Sequence, residues 1–147
     1  MTLRAVAGHQ KAETVEDLTQ WLHNLTGCPD VARTHVAACA NPSHDDPATW
    51  FYVEADRREG VARLRCLSCG LAHPVFDSED RWTYPAVWCC PTCNQSIAEA
   101  AYGLHVESGD AVTWVALAVR CVECGDLSGV ADFVLPGTVV DEVEASL

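Results

Sequence analysis

Lysine is almost missing from this 147-residue chain: Lys11 stands alone against eight arginines. Methionine occurs once, and no apolar run approaches the roughly 18 residues that a membrane-crossing helix needs. Residues 1–12 hold no apolar signal-peptide core, so the expected setting is a reducing cytoplasm rather than an oxidising exterior. Positive charge is scarce as a class. Nine Lys and Arg against 21 Asp and Glu leave a formal net charge of −12. A chain this anionic is repelled by nucleic acid as a whole, which favours a protein partner. The chain also has no His-Glu-x-x-His helix, no phosphate-cradling glycine loop and no nucleophile elbow.

What is abundant is cysteine, with nine residues. Six of them form three Cys-x-x-Cys pairs: Cys66 and Cys69, Cys90 and Cys93, Cys121 and Cys124. Two intervening residues let one tight turn aim both sulfurs at a single ion, a metal spacing rather than a disulfide one. Two of the pairs sit in near-repeats, Arg65-Cys66-Leu67-Ser68-Cys69-Gly70 and Arg120-Cys121-Val122-Glu123-Cys124-Gly125. The closing glycines would relieve those turns.

Twenty-seven residues separate Cys93 from Cys121, and joining the two pairs across a hairpin gives a closed four-sulfur site. Cys66 and Cys69 need two more ligands. Cys39 and His44 occupy the matching upstream place, with Cys28, His35 and His73 as rivals. Cys28 and Cys89 are otherwise expected to be buried, inert thiols. Zinc is favoured over a rubredoxin-type iron by the hairpin lengths and the histidine, so two Zn2+ per chain are expected. A thioredoxin-like use of Cys-x-x-Cys lacks its βαβ setting, although reversible thiol oxidation with zinc release stays open. His105-Val106-Glu107 ahead of Cys121 is a weak echo of a zinc deaminase. Thirteen residues separate Glu107 from Cys121, no proline precedes Cys121, and that reading would strand Cys90 and Cys93.

Around these pairs the pattern predicts a small metal-bound α+β fold. Thr14 with Glu16 and Asp17 starts a helix over 14–26, with Val15, Leu18, Trp21, Leu22 and Leu25 at helical spacing. A short second helix is expected within 29–38. Strands are expected at 49–54, 61–65 and 71–76, then at 98–107, 111–120 and 130–135. Residues 1–12 read as a loose start and 138–147 as an acidic tail. The division is an N-terminal helical segment (1–38), a first unit (39–80), a second unit (81–137) and the tail.

With two upstream and downstream knuckle pairs in register about 50–55 residues apart, the chain resembles the zinc-ribbon family, here as two tandem three-stranded antiparallel ribbons. The match is most specific over residues 86–136. The order Cys39, His44, Cys66, Cys69 is also similar to the zinc ribbon of bacterial primases, without the primase catalytic domain and with a wider Cys-to-His gap. Tandem ribbons resemble small subunits and accessory factors of transcription machinery. That resemblance implies a non-catalytic zinc-binding adaptor or regulator, with RNA polymerase or another large complex as partner. Arg57, Arg58, Arg63 and Arg65 on the first hairpin form a basic island for contacting a partner or, alternatively, nucleic acid; pairing with nearby acids is the plainer reading. Trp50, Trp82, Trp88 and Trp114 are expected to fill thin cores unless they gather as an exposed cluster.

Overall fold

The computed structural model describes residues 4–6 and 9–147, with side chains described from Lys11 onward. Strands β1 (Arg4–Val6) and β2 (His9–Lys11) pair antiparallel, Arg4 opposite Lys11. This corrects the loose start for those residues; residues 1–3 and 7–8 lie outside the described ones. Helix α1 runs Val15–His23 and is fixed by a capping box. The Asp17 amide donates to Thr14 Oγ1 at 3.4 Å, and Asp17 Oδ2 accepts from the Thr14 amide at 3.3 Å. The helix stops short of residue 26 because Asn24 already turns its amide back to the Trp21 and Leu22 carbonyls.

The second expected helix, within 29–38, is corrected: Arg33–Val36 is strand β3. Its cause is not local. Strands β4 (Phe51–Asp56), β5 (Val61–Cys66) and β6 (Ala72–Pro74) form one part of a sheet, and β7 (Ile97–Glu107), β8 (Ala111–Cys121) and β9 (Leu127–Val139) another. They are hydrogen-bonded in the order β6-β5-β4-β7-β8-β9. Strand β4 reaches β7 only at Ile97 and Ala98, opposite Tyr52 and Phe51. The rest of that edge, Ala101 to Leu104, would expose unpaired amides, and β3 covers it antiparallel. Thr34 and Val36, both β-branched, suit the role.

The acidic tail is likewise corrected. Val140–Ser146 forms helix α2, with Asp141 and Glu142 in its first turn, where acids oppose the helix dipole. Val140 and Val143 lie three residues apart and are both buried in the core, while Glu144 pairs with Arg33 at 2.8 Å. Among the described residues, no helix is long and apolar enough to cross a membrane.

The two faces of the sheet carry different side chains. One holds the main core, including Phe51, Val53, Leu64, Tyr102, Leu104, Val115, Leu117, Val119 and Phe133. On the other, α1 seats Leu18 and Leu22 on Ala101, Ala116 and Ala118. Those residues are small because the helix comes close. A Cβ on Gly103 would lie 3.0 Å from Val31 and 3.4 Å from Leu22. The sheet also curls, bringing the β4–β5 loop to β9. Arg57 donates to the Gly129 carbonyl, and Gly60 comes so near that an added Cβ would meet the Asp132 carbonyl oxygen at 3.3 Å.

Candidate metal centres

Three backbone knuckles share one construction. The amide after the second cysteine donates to the carbonyl of the first at 2.9 Å: Gly70 to Cys66, Asn94 to Cys90, Gly125 to Cys121. Each of those closing residues has positive φ, at +76°, +63° and +80° respectively. Glycine takes that conformation freely, and asparagine is among the residues that tolerate it. The Cys90 knuckle, which lacks a glycine, therefore closes like the other two.

The first cluster joins Cys39, His44, Cys66 and Cys69, with every ligand atom within 4.8 Å of the others. Cys66 ends β5, and its amide donates to the Leu71 carbonyl. Cys39 is placed by its backbone amide, which donates to the Ala48 carbonyl at 2.8 Å, and the intervening turn brings His44 round. Cys39 Sγ lies 3.6 Å from Cys69 Sγ, and His44 Nε2 lies 3.7 Å from Cys66 Sγ. The second cluster joins Cys90, Cys93, Cys121 and Cys124, again within 4.8 Å, with Cys90–Cys124 and Cys93–Cys121 sulfur separations of 3.5 Å. A tetrahedral ion with metal–sulfur bonds of about 2.3 Å holds its sulfurs about 3.8 Å apart. A disulfide would need about 2 Å. The donor sets therefore fit two metal ions, and all four positions around each are filled by protein.

The clusters differ in electrostatics. In the first, the Asn41 side chain and the Leu71 amide bring the exposed Cys69 thiol down to about 6, helped by Cys39 and His44. Burial pushes the Cys39 thiol up to about 11. In the second, burial pushes Cys121 up to about 12 and also raises Cys90, while the Asp126 amide and neighbouring thiols bring Cys124 below its ordinary value against the effect of burial.

The second cluster is also roofed. The Lys11 ammonium, with 7% of the residue exposed, lies 3.5 Å from Cys124 Sγ and 3.7 Å from Asp126. Burial opposes its charge, but Asp126 and Cys124 outweigh that effect and leave its pKa above the ordinary value. Asp126 is fully buried and accepts from Thr92 Oγ1 at 3.2 Å. The Ala12 amide donates to the Gly125 carbonyl at 2.7 Å, and Arg120 donates to the Ala12 and Glu13 carbonyls at 2.9 and 2.7 Å. Arg120 also pairs with Glu99 at 2.8 Å. The chain's one lysine thus partly offsets the charge of a four-thiolate site. Lys11, Thr92 and Asp126 carried no sequence signal, since Lys11 precedes Cys124 by 113 residues.

No protein-family model, curated protein or solved structure matches this chain.

The other sequence candidates fall elsewhere. His35 packs its ring against Tyr102, His73 bonds the Ser146 carbonyl, and His105 bonds the Asp30 carbonyl. Cys89 is exposed, 3.4 Å from Ser96 Oγ, and Cys28 is half-buried, which corrects the expectation that both are buried. Arg63 is held by both oxygens of Glu54 at 3.1 and 2.8 Å and stacks on Trp82 at 4.3 Å. Arg65 donates to the Gly70 carbonyl, and Arg57 is tied to Gly129. Arg58 has an exposed side chain, while its amide is bound by Asp56. Trp88 packs on the main core, Trp114 lies beside α1 and donates to Asp132 at 2.9 Å, and Trp50 is exposed.

Proposed function

We propose that this chain is a non-catalytic zinc-binding adaptor of the reducing cytoplasm, built on two tandem zinc ribbons. The observation supporting this is the completeness of both donor sets. A catalytic zinc keeps one coordination position open for water or substrate, whereas here three thiols and an imidazole, and four thiols, converge with none to spare. Zinc is the metal assigned, because mixed thiolate and imidazole coordination is ordinary for it and four-thiolate coordination is one of its common structural forms.

The metal then holds a platform, and the activity lies in what the platform docks. Net charge, together with the internal engagement of Arg57, Arg63 and Arg65, favours a protein over nucleic acid. The resemblance to transcription-associated ribbons makes RNA polymerase the first partner to test. Affinity purification from native extract with metal analysis should return about two zinc ions per chain and a stoichiometric protein. A salt-sensitive nucleic-acid mobility shift lost in Arg58→Ala, with no protein co-purifying, would overturn the reading. Arg58 suits that test because, among the described residues, its exposed side chain makes no hydrogen bond or ion pair that the substitution would break.

A further inference from the structure

A cleft of about 580 Å3 lies over the first half of the sheet. Strand register sets Glu54, Arg63 and Pro74 side by side across β4, β5 and β6 at its floor. Trp82, Tyr84 and Pro85, from the segment after β6, complete its apolar walls, and Glu79 stands at the rim. The Arg63 charge is already spoken for by Glu54 below and the Trp82 ring above, which leaves the ring fixed.

Tyr84 is the anomaly. Its φ is +55°, a left-handed conformation that costs a non-glycine residue energy, and its side chain is 86% exposed. Nothing the ring buries in the free protein offsets that strain. Strained residues kept at a surface point to a bound state in which they make contacts.

We propose that the Trp82–Tyr84 cleft docks a proline-rich segment of a partner protein, flanked by arginine or lysine, in the polyproline II conformation. The inference rests on the adaptor reading and gives the partner's docking segment its chemistry. A Trp82 ring held by Arg63, an exposed tyrosine beside it and two prolines suit a ligand whose shape is already set, so that little ordering entropy is lost on its side. The cleft sits on a sheet face whose backbone is paired, and on the short edge strand β6 Pro74 has no amide to give, so strand addition is disfavoured there. Arg63 being neutralised, Glu79 and the net charge of −12 select a cationic flank.

The test is calorimetric titration of the full metal-loaded chain with a synthetic oligoproline peptide carrying arginines at both ends. Saturable binding is expected, weakened about tenfold or more by Tyr84→Ala and by exchanging the flanking arginines for aspartates. Tyr84→Gly should lose binding while melting no lower than wild type, since glycine relieves the backbone and no buried contact is lost. Absence of saturation, equal binding by Tyr84→Ala, or equal binding of the aspartate peptide would overturn the proposal. If the peptide fails while affinity purification still returns a stoichiometric protein, the cleft is refuted and the adaptor reading stands.

Discussion

Gly70 and Gly125 close equivalent knuckles at φ +76° and +80°, yet replacing each by alanine should have very different consequences. Both substitutions place a Cβ in the left-handed region, at about 1 kcal/mol. At Gly70 the added atom meets nothing within 4 Å among the described residues. At Gly125 it would press into the Ala12 carbonyl oxygen and lie 3.3 Å from that residue's carbonyl carbon and nitrogen. A backbone cannot swing aside as a side-chain tip can, so the strand carrying Lys11 and Ala12 must lift. Lifting it breaks the Ala12–Gly125 bond and both Arg120 bonds to the Ala12 and Glu13 carbonyls. At roughly 1 kcal/mol each, those add about 3 kcal/mol. Gly125→Ala should therefore destabilise by about 4 kcal/mol against about 1 kcal/mol for Gly70→Ala. Near this chain length that is a melting shift of about 12 °C against about 3 °C. Urea unfolding of metal-loaded protein at fixed free metal measures both. Arg120→Ala should cost about 2 kcal/mol less in the Gly125→Ala background than in the wild type, because its bonds to the Ala12 and Glu13 carbonyls are already broken and only the Glu99 pair remains to be lost. Equal losses from the two glycine variants, or full additivity with Arg120→Ala, would refute the account of the N-terminal strand as a roof on the second cluster.

Other consequences follow from the same geometry. Cys121→Ser, or removal of metal by a strong chelator, should unfold the second half of the sheet, since structural zinc is worth on the order of 10 kcal/mol at neutral pH; circular dichroism unchanged from wild type would contradict this. When the first cluster is stripped of metal, iodoacetamide should label Cys69 ahead of Cys39, at a rate rising through a pH of about 6, because burial pushes the Cys39 thiol up to about 11. Peptide mapping showing uniform labelling would mean that the thiols are not pre-arranged without metal. Arg57→Ala should cost about 1 kcal/mol by releasing β9 from the β4–β5 loop, whereas Arg58→Ala should cost nothing measurable in the same melt.

The cysteine spacing legible in the chain was enough for the second cluster and for Cys66 and Cys69 of the first, because a Cys-x-x-Cys turn is a local object. Its geometry depends on two intervening residues and on one closing residue that accepts positive φ. The long strands β7 and β8 and the cap of α1 are local in the same sense, written in apolar runs and in Thr14 with Asp17. Cys39 and His44 were legible by analogy of position, with Cys28, His35 and His73 as unresolved competitors; closure of the chain around residues 39–48 chose between them.

Tertiary structure decided the rest. Residues 33–36 are extended because β4 leaves the far edge of β7 uncovered, a fact about a distant strand rather than about Arg33-Thr34-His35-Val36. Val140 and Val143 are helical because the core offers their side chains a place; in isolation so short and acidic a segment would not hold. For the arginines of the first hairpin the pattern offered pairing with nearby acids or a basic island, and the partners came from the fold: the register set Glu54 opposite Arg63, and the curl of the sheet brought Gly129 to Arg57. Lys11 is the clearest case. Its charge stabilises the second cluster across 113 residues, and a through-space interaction of that span leaves no trace in local pattern. Ligand identity belonged to the chain, while the environment that sets each ligand's charge belonged to the fold.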